Sequence, residues 1–183
     1  MISFQNRHNS YLIVSAFNLI KIYCNLGTFS KTHGTDQPFI QIRLSIPINN
    51  LRRPCEEVII AGSEYLISLI EKCDLGFFDG TFKMAPIGFT QILVLMVLNP
   101  ETNLFTPILY ILATSKTEEC YYLTFCGIKI ILDKFGLKIK MKIINIDFEL
   151  AIHNAFKKVF PEIKICGCYF HFVWFIYFLS FKT

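Results

Sequence analysis

The sequence predicts an α/β fold. The expected core is a mixed β-sheet of three antiparallel strands followed by helix, strand, helix and strand, with the helices packed on it. Three observations point there. Apolar runs at 75–84, 89–98 and 104–112 are separated by two short turns, Ala85-Pro86-Ile87-Gly88 and Asn99-Pro100-Glu101-Thr102-Asn103. That is the pattern of an antiparallel meander. Downstream, helical periodicity at 115–135 and 149–160 alternates with short apolar runs at 141–146 and 163–169, which favours parallel neighbours joined by right-handed crossovers. Finally, 183 residues of which 53% are hydrophobic suffice to bury a real core.

The elements follow in order. Residues 1–54 read as a poorly defined flank. An apolar stretch at 11–24 is interrupted by Lys21, and Gly27 to Asn50 reads as loop, with Pro38, Pro47 and Asn49-Asn50 as breakers. A boundary is expected between Asn50 and Pro54. Glu57 to Ala61 is a short strand candidate. Ser63 to Cys73 reads as a helix capped by Ser63, with Tyr65, Leu66, Leu69 and Ile70 as its apolar face. Leu75 to Met84 is the first strand of the meander. Phe89 to Leu98 is a nearly continuous apolar run, as expected of a strand buried on both faces, and Leu104 to Leu112 is the third.

Ser115 stands three residues before Glu118, the spacing of a capping box, and Gly136 is the expected stop of that helix. Met141 to Ile146 runs into Asp147. In the next helix Ala151, Ile152, Ala155, Phe156, Val159 and Phe160 share one face, while Glu149, His153, Lys157 and Lys158 take the other. Pro161 ends it, and Ile163 to Tyr169 reads as the last strand. This is the element order of a ribonuclease-H-like sheet.

Bulk chemistry narrows the function classes. A net charge of +4 with 17% charged residues permits a nucleic-acid partner without demanding one, because no block of like charges is long. Seven cysteines form an odd set without regular spacing. The expectation is reduced, mostly buried thiols in a protein that is intracellular or nuclear and not secreted. Mean hydropathy is high, +0.46. The run 165–181 has one His and no other clearly ionic group until its last residues, and it sits at the lower edge of a spanning length of roughly 17–25 residues. A small membrane protein is therefore an alternative, although the bland reading is a strand running into a partly buried helix.

Three motifs carry chemistry. Asp79 lies in Gly76-Phe-Phe-Asp-Gly-Thr-Phe-Lys83 and Asp147 in Asn145-Ile-Asp-Phe-Glu149, each at or near the end of an apolar run. Two such strands side by side would bring both carboxylates together, the start of a two-metal phosphodiester-cutting site. Each has a structural alternative. Asp79-Gly80 is a strong hairpin-turn signal, and Asp147 stands where an aspartate caps a helix, with Glu149 suiting the helix dipole. Cys166, Cys168 and His171 give C-x-C-x-x-H. Thiolate and imidazole suit Zn²⁺, but a structural zinc site needs four ligands, and two buried thiols with a hydrogen-bonded His are the commoner reading of such a motif. Lys83, Lys116, Lys157 and Lys158 are candidate DNA contacts or plain surface lysines.

Together these residues resemble the Mutator-like element (MULE) transposase domain. The likeness rests on Phe77-Phe-Asp-Gly-Thr-Phe-Lys83, Pro107 to Tyr110 followed by Ser115-Lys-Thr-Glu-Glu119, Asp147-Phe-Glu149 and Gly167-Cys-Tyr-Phe-His-Phe172, in matching order. It covers residues 55–172, leaving 173–183 as an apolar tail.

The resemblance implies a ribonuclease-H-like DDE core that cuts and joins DNA in transposition. Asp79 is then the first acid, Asp147 the second, and Cys168 with His171 the C-x-x-H motif in a structural or DNA-positioning role. Mg²⁺ or Mn²⁺ is the implied cofactor, as two ions roughly 3.5–4 Å apart. The implied partner is DNA, at transposon ends and target, with self-association possible.

The sequence departs from the family pattern at the third acid, usually a glutamate on a helix after C-x-x-H. No Asp or Glu follows Glu162. The tail reads as a frame-shifted, mis-spliced or truncated continuation, which implies little or no transposition by this chain alone. A non-catalytic nucleic-acid-binding module derived from a transposase is the alternative.

Overall fold

A computed structural model describes residues 10–15, 18–23, 39–47, 55–81 and 83–180. Its strands are β1 (Ser10–Ser15), β2 (Asn18–Tyr23), β3 (Ile40–Pro47), β4 (Cys55–Ala61), β5 (Leu75–Thr81), β6 (Gln91–Asn99), β7 (Leu104–Ala113), β8 (Ile143–Ile146) and β9 (Lys164–Gly167). The helices are α1 (Glu64–Ser68), α2 (Glu118–Phe135), α3 (Leu150–Val159) and α4 (Tyr169–Ser180), with a 3-10 turn at Leu69–Glu71 after α1. All nine described strands join one sheet in the order β1-β2-β3-β4-β7-β6-β5-β8-β9.

The meander and both crossovers form as the sequence predicts. β5 pairs antiparallel with β6, and β6 with β7. β8 lies parallel to β5, and β9 parallel to β8. On β6 the side chains of Gln91, Leu93, Leu95, Val97 and Asn99 are buried, while the intervening Ile92, Val94, Met96 and Leu98 are only half-buried. The expectation of two fully buried faces is thus met on one.

Residues 40–47 are strand rather than the loop read from the breakers. Ile42, Leu44 and Ile46 are buried and alternate with half-buried Arg43 and Ser45, the period-2 pattern of a strand with one face on the core. Pro47 ends the element instead of interrupting it. β3 pairs with β4 from Ile40↔Ala61 to Pro47↔Cys55. The loop read across 27–38, the boundary near 50–54, Cys24 and Phe82 lie outside the described residues.

Helix ends follow local chemistry. Ser63 caps α1 by accepting from the Leu66 N–H at 3.3 Å. The inward face of α1 and the following turn is Ile67, Leu69 and Ile70, whereas Tyr65 is exposed. A five-residue helix turns too little for the longer stripe read from sequence. α2 starts two residues after its expected cap: Thr117, not Ser115, accepts from the Cys120 N–H at 3.2 Å. Ser115 instead receives the Thr117 N–H. Buried Glu56 fixes this corner, accepting the Thr114 hydroxyl at 2.8 Å and the Thr117 hydroxyl at 3.4 Å. A carboxylate at the start of α2 also suits the positive end of that helix. Gly136 closes α2 at φ 67°, a left-handed conformation that glycine adopts without a Cβ penalty.

The apolar face of α3 is as expected, with Ile152, Ala155, Phe156 and Val159 buried. The last strand is shorter than the run 163–169. Its final sheet bond runs from the Cys168 N–H to the Ile146 carbonyl, and α4 begins at Tyr169. The apolar stretch 165–181 is therefore the end of β9 followed by a 12-residue helix, about 18 Å long against a hydrocarbon layer of roughly 30 Å. No described helix is long and apolar enough to cross a membrane.

The core is held by a run of aromatic contacts from sheet to helices. Phe78 on β5 meets Phe125 on α2 at 5.1 Å, Phe125 meets Phe156 on α3 edge-on at 5.0 Å, and Phe156 meets Phe160 at 5.4 Å. Such pairs add about 0.5–1.5 kcal/mol each beyond area burial. Cys73 and Cys120 are buried, and Cys55, Cys126, Cys166 and Cys168 are half-buried free thiols. Burial pushes the thiols of Cys73, Cys120 and Cys126 up, which keeps them protonated and unreactive.

Phe125→Ala is expected to lower the unfolding free energy by about 3–5 kcal/mol, read from chemical denaturation. Thr117→Ala should cost about 0.5–2 kcal/mol in the same measurement, whereas Ser115→Ala should cost less.

Candidate active site

Alternation along β5 decides where Asp79 points. Gly76 and Phe78 are buried, Phe77 is half-buried and Asp79 is exposed. Asp79 and Gly80 pair with Val94 and Leu93 inside the β5–β6 ladder, so the hairpin-turn alternative is not taken. Phe78 sits in the core immediately before Asp79, and its packing fixes the carboxylate at the sheet's rim.

Asp147 reaches the same place from the neighbouring strand. The parallel register sets Phe77 beside Asn145 and Phe78 beside Ile146. The next step along both strands is Asp79 and Asp147, at the carboxyl ends of two parallel strands. Both line one hollow, together with Gln91, Tyr121, Glu149 and His171. Asp147 does not cap α3. Its Oδ1 accepts the adjacent Phe148 N–H at 2.6 Å, and the residue at the cap position, Glu149, makes no side-chain capping bond. The Asp147 side chain keeps 44% of its surface open to solvent.

Two histidines hold the Asp147 segment. His153 Nε2 lies 2.7 Å from the Asp147 carbonyl oxygen. His171, on the first turn of α4, brings Nδ1 to 3.5 Å from Asp147 Oδ1. That Nδ1 is shielded from solvent and has no hydrogen-bond partner among the described residues. The connecting Phe148 lies across Gly167, where an added Cβ would stand 2.2 Å from the ring. Glycine at 167 therefore lets the 147–149 segment settle onto β9.

Tyr121 and Gln91 enter the hollow from α2 and β6. Both are almost wholly buried. The Tyr121 hydroxyl donates to Glu149 Oε2 at 3.0 Å and lies 3.5 Å from Gln91 Oε1. Gln91 in turn donates to the Ser115 carbonyl at 2.8 Å. Burial pushes the Tyr121 phenol up, and the Glu149 charge adds to this, so it stays a donor at all ordinary pH. Sequence reading missed Glu149, Tyr121 and Gln91. Glu149 carried a signal, since it stands two residues from Asp147 across a strand-to-helix bend. Tyr121 and Gln91 carried none.

The remaining candidates are not brought together. Cys168 contributes its backbone to the sheet, and Cys166 is half-buried on β9. Among the described residues no group of three His, Cys, Asp or Glu side chains is placed to share one metal ion. Lys158 pairs with Glu118 on α2. Lys157 lines a separate hollow with His153 and Lys164. Lys83 and Lys116 are exposed, and none of the four lysines lines the acidic hollow.

No curated protein matches the chain. A family model, the MULE transposase domain, matches residues 75–174. The match begins with β5, ends within α4, and includes Asp79, Asp147, Cys168 and His171. It covers more than half of the sequence, and the chain belongs to the MULE transposase domain family.

Proposed function

We propose that this chain is a ribonuclease-H-like catalytic core of a MULE-type transposase, acting on DNA phosphodiesters with Asp79 and Asp147 as its acids. One observation carries the reading: two carboxylates 68 positions apart in sequence line one hollow at the carboxyl ends of adjacent parallel strands. Open α/β sheets bind their ligands at this edge.

Asp79 and Asp147 offer only hard oxygen atoms, which fits Mg²⁺ or Mn²⁺. These two residues would hold the cation. Zn²⁺ fits poorly, because Cys168 and His171 fall short of the four ligands of a structural site and His171 faces Asp147 instead. When bound, hard divalent cations supply Lewis acidity at the scissile phosphate and at the attacking oxygen.

The chain's own residues set up that chemistry. Phe78 in the core fixes the direction of Asp79. His153 holds the backbone of Asp147, and the His171 ring stands 3.5 Å from its carboxylate. Both acids are open to solvent on one side, so a phosphate backbone can approach them. Lys83, two residues past the end of β5, is an exposed cation and a candidate phosphate contact. Such a reaction belongs in the nucleus or another DNA-bearing compartment.

A second reading is a non-catalytic nucleic-acid-binding module derived from a transposase, which keeps the fold and loses the metal chemistry.

Incubating the purified chain with labelled duplex DNA and Mg²⁺ or Mn²⁺ decides between them. The proposal expects cation-dependent nicking that falls at least about 100-fold in Asp79→Asn and Asp147→Asn, with DNA retention in a gel-shift assay unchanged. DNA binding with no cutting by the parent chain would favour the second reading. Equal cutting by parent and variants would remove both aspartates from the mechanism.

A further inference from the structure

The acidic hollow has a third carboxylate, to which the resemblance assigns no role. Glu149 lines it beside Asp79 and Asp147. Its position is not left to solvent: Tyr121, anchored in the core by α2, reaches out of the buried layer to hold Glu149 Oε2 at 3.0 Å. An ordinary surface glutamate in the first turn of a helix needs no such restraint. Here a buried phenol has its hydroxyl directed at that one carboxylate and at Gln91 Oε1. A second observation from the same hollow concerns His171. Its Nδ1 is excluded from solvent and lacks a hydrogen bond among the described residues, so this wall too is polar and under-satisfied.

We infer that Glu149 is an additional acid of the cation site, held in place by Tyr121, and that it acts on the water shell of a divalent cation bound by Asp79 and Asp147. The inference rests on the proposed cation chemistry of that pair. Contact through water is part of the inference, since among the described residues no three candidate ligands are grouped to share one ion directly. Mg²⁺ and Mn²⁺ sites of few carboxylates commonly retain several waters, and acceptors for those waters tune affinity from the outer layer. Neutralising Glu149 should therefore act on cation affinity more than on the fold. Tyr121 is a positioning residue in this scheme.

The test is calorimetric titration of Mn²⁺ into the full chain and into Asp79→Asn, Glu149→Gln and Tyr121→Phe. Glutamine keeps an oxygen able to accept from Tyr121, so Glu149→Gln removes charge while sparing the hydrogen bond. The parent should bind Mn²⁺ saturably. Asp79→Asn should lose binding, and Glu149→Gln and Tyr121→Phe should each weaken it by about 10–100-fold, with the metal-free melting midpoint of Glu149→Gln unchanged. If Glu149→Gln and Tyr121→Phe bind within twofold of the parent while Asp79→Asn does not, the role of Glu149 is overturned and the aspartate pair stands. If one of the two variants does not fold, the other decides. If the parent itself binds no Mn²⁺, the cation reading fails and the inference with it.

Discussion

The parallel pairing of β5 with β8 is the constraint on which everything else in this molecule depends. A parallel neighbour cannot be reached by a tight turn, so the chain must leave the sheet, cross over it and return. The crossover here runs through α2, and α2 brings Phe125 onto Phe78 and Tyr121 to the rim. One connection thus supplies both the core contact that fixes Asp79 and the hydroxyl that holds Glu149. The second crossover, α3, carries Phe156 onto Phe125 and His153 onto the Asp147 carbonyl. Each helix has one end of its work in the core and the other at the hollow.

This arrangement explains how a strongly apolar chain presents a polar site. Alternation along β5 puts Phe78 and Asp79 on adjacent positions with opposite fates. The more firmly the phenylalanine is buried, the less freedom the aspartate has. Asp147 is held differently, by a bend between strand and helix, by the His153 imidazole at its carbonyl and by the Phe148 ring lying on Gly167. Membership of the MULE transposase domain family accords with this placement of the conserved-type motifs, all of which fall between β5 and the start of α4.

Sequence reading succeeded where a local pattern had one physical solution. Two short turns between apolar runs could only give a meander, and the buried stripe of α3 was visible in the spacing of Ile152, Ala155, Phe156 and Val159. It failed where two local signals competed. Pro38, Pro47 and the Asn pair drew 27–50 toward loop, although Ile42, Leu44 and Ile46 alternate as a strand should. Ser115 and Thr117 both offered caps, and the buried Glu56, remote in sequence, favoured Thr117. The apolar run past Ile165 could not reveal its own break, because β9 ends only where its neighbour β8 stops offering carbonyls.

By itself, the sequence determined the kinds of element from β4 onward, their order and the two aspartates at the ends of apolar runs, since these follow from side-chain periodicity and turn chemistry within a few residues. Only the tertiary structure decided that Asp79 stays in a strand, that Asp147 leaves α3 uncapped, and that Tyr121, Glu149 and His171 surround them. Those outcomes depend on which strands lie side by side and on what the crossover helices bury, quantities that arise from packing between distant segments and leave no trace in local spacing.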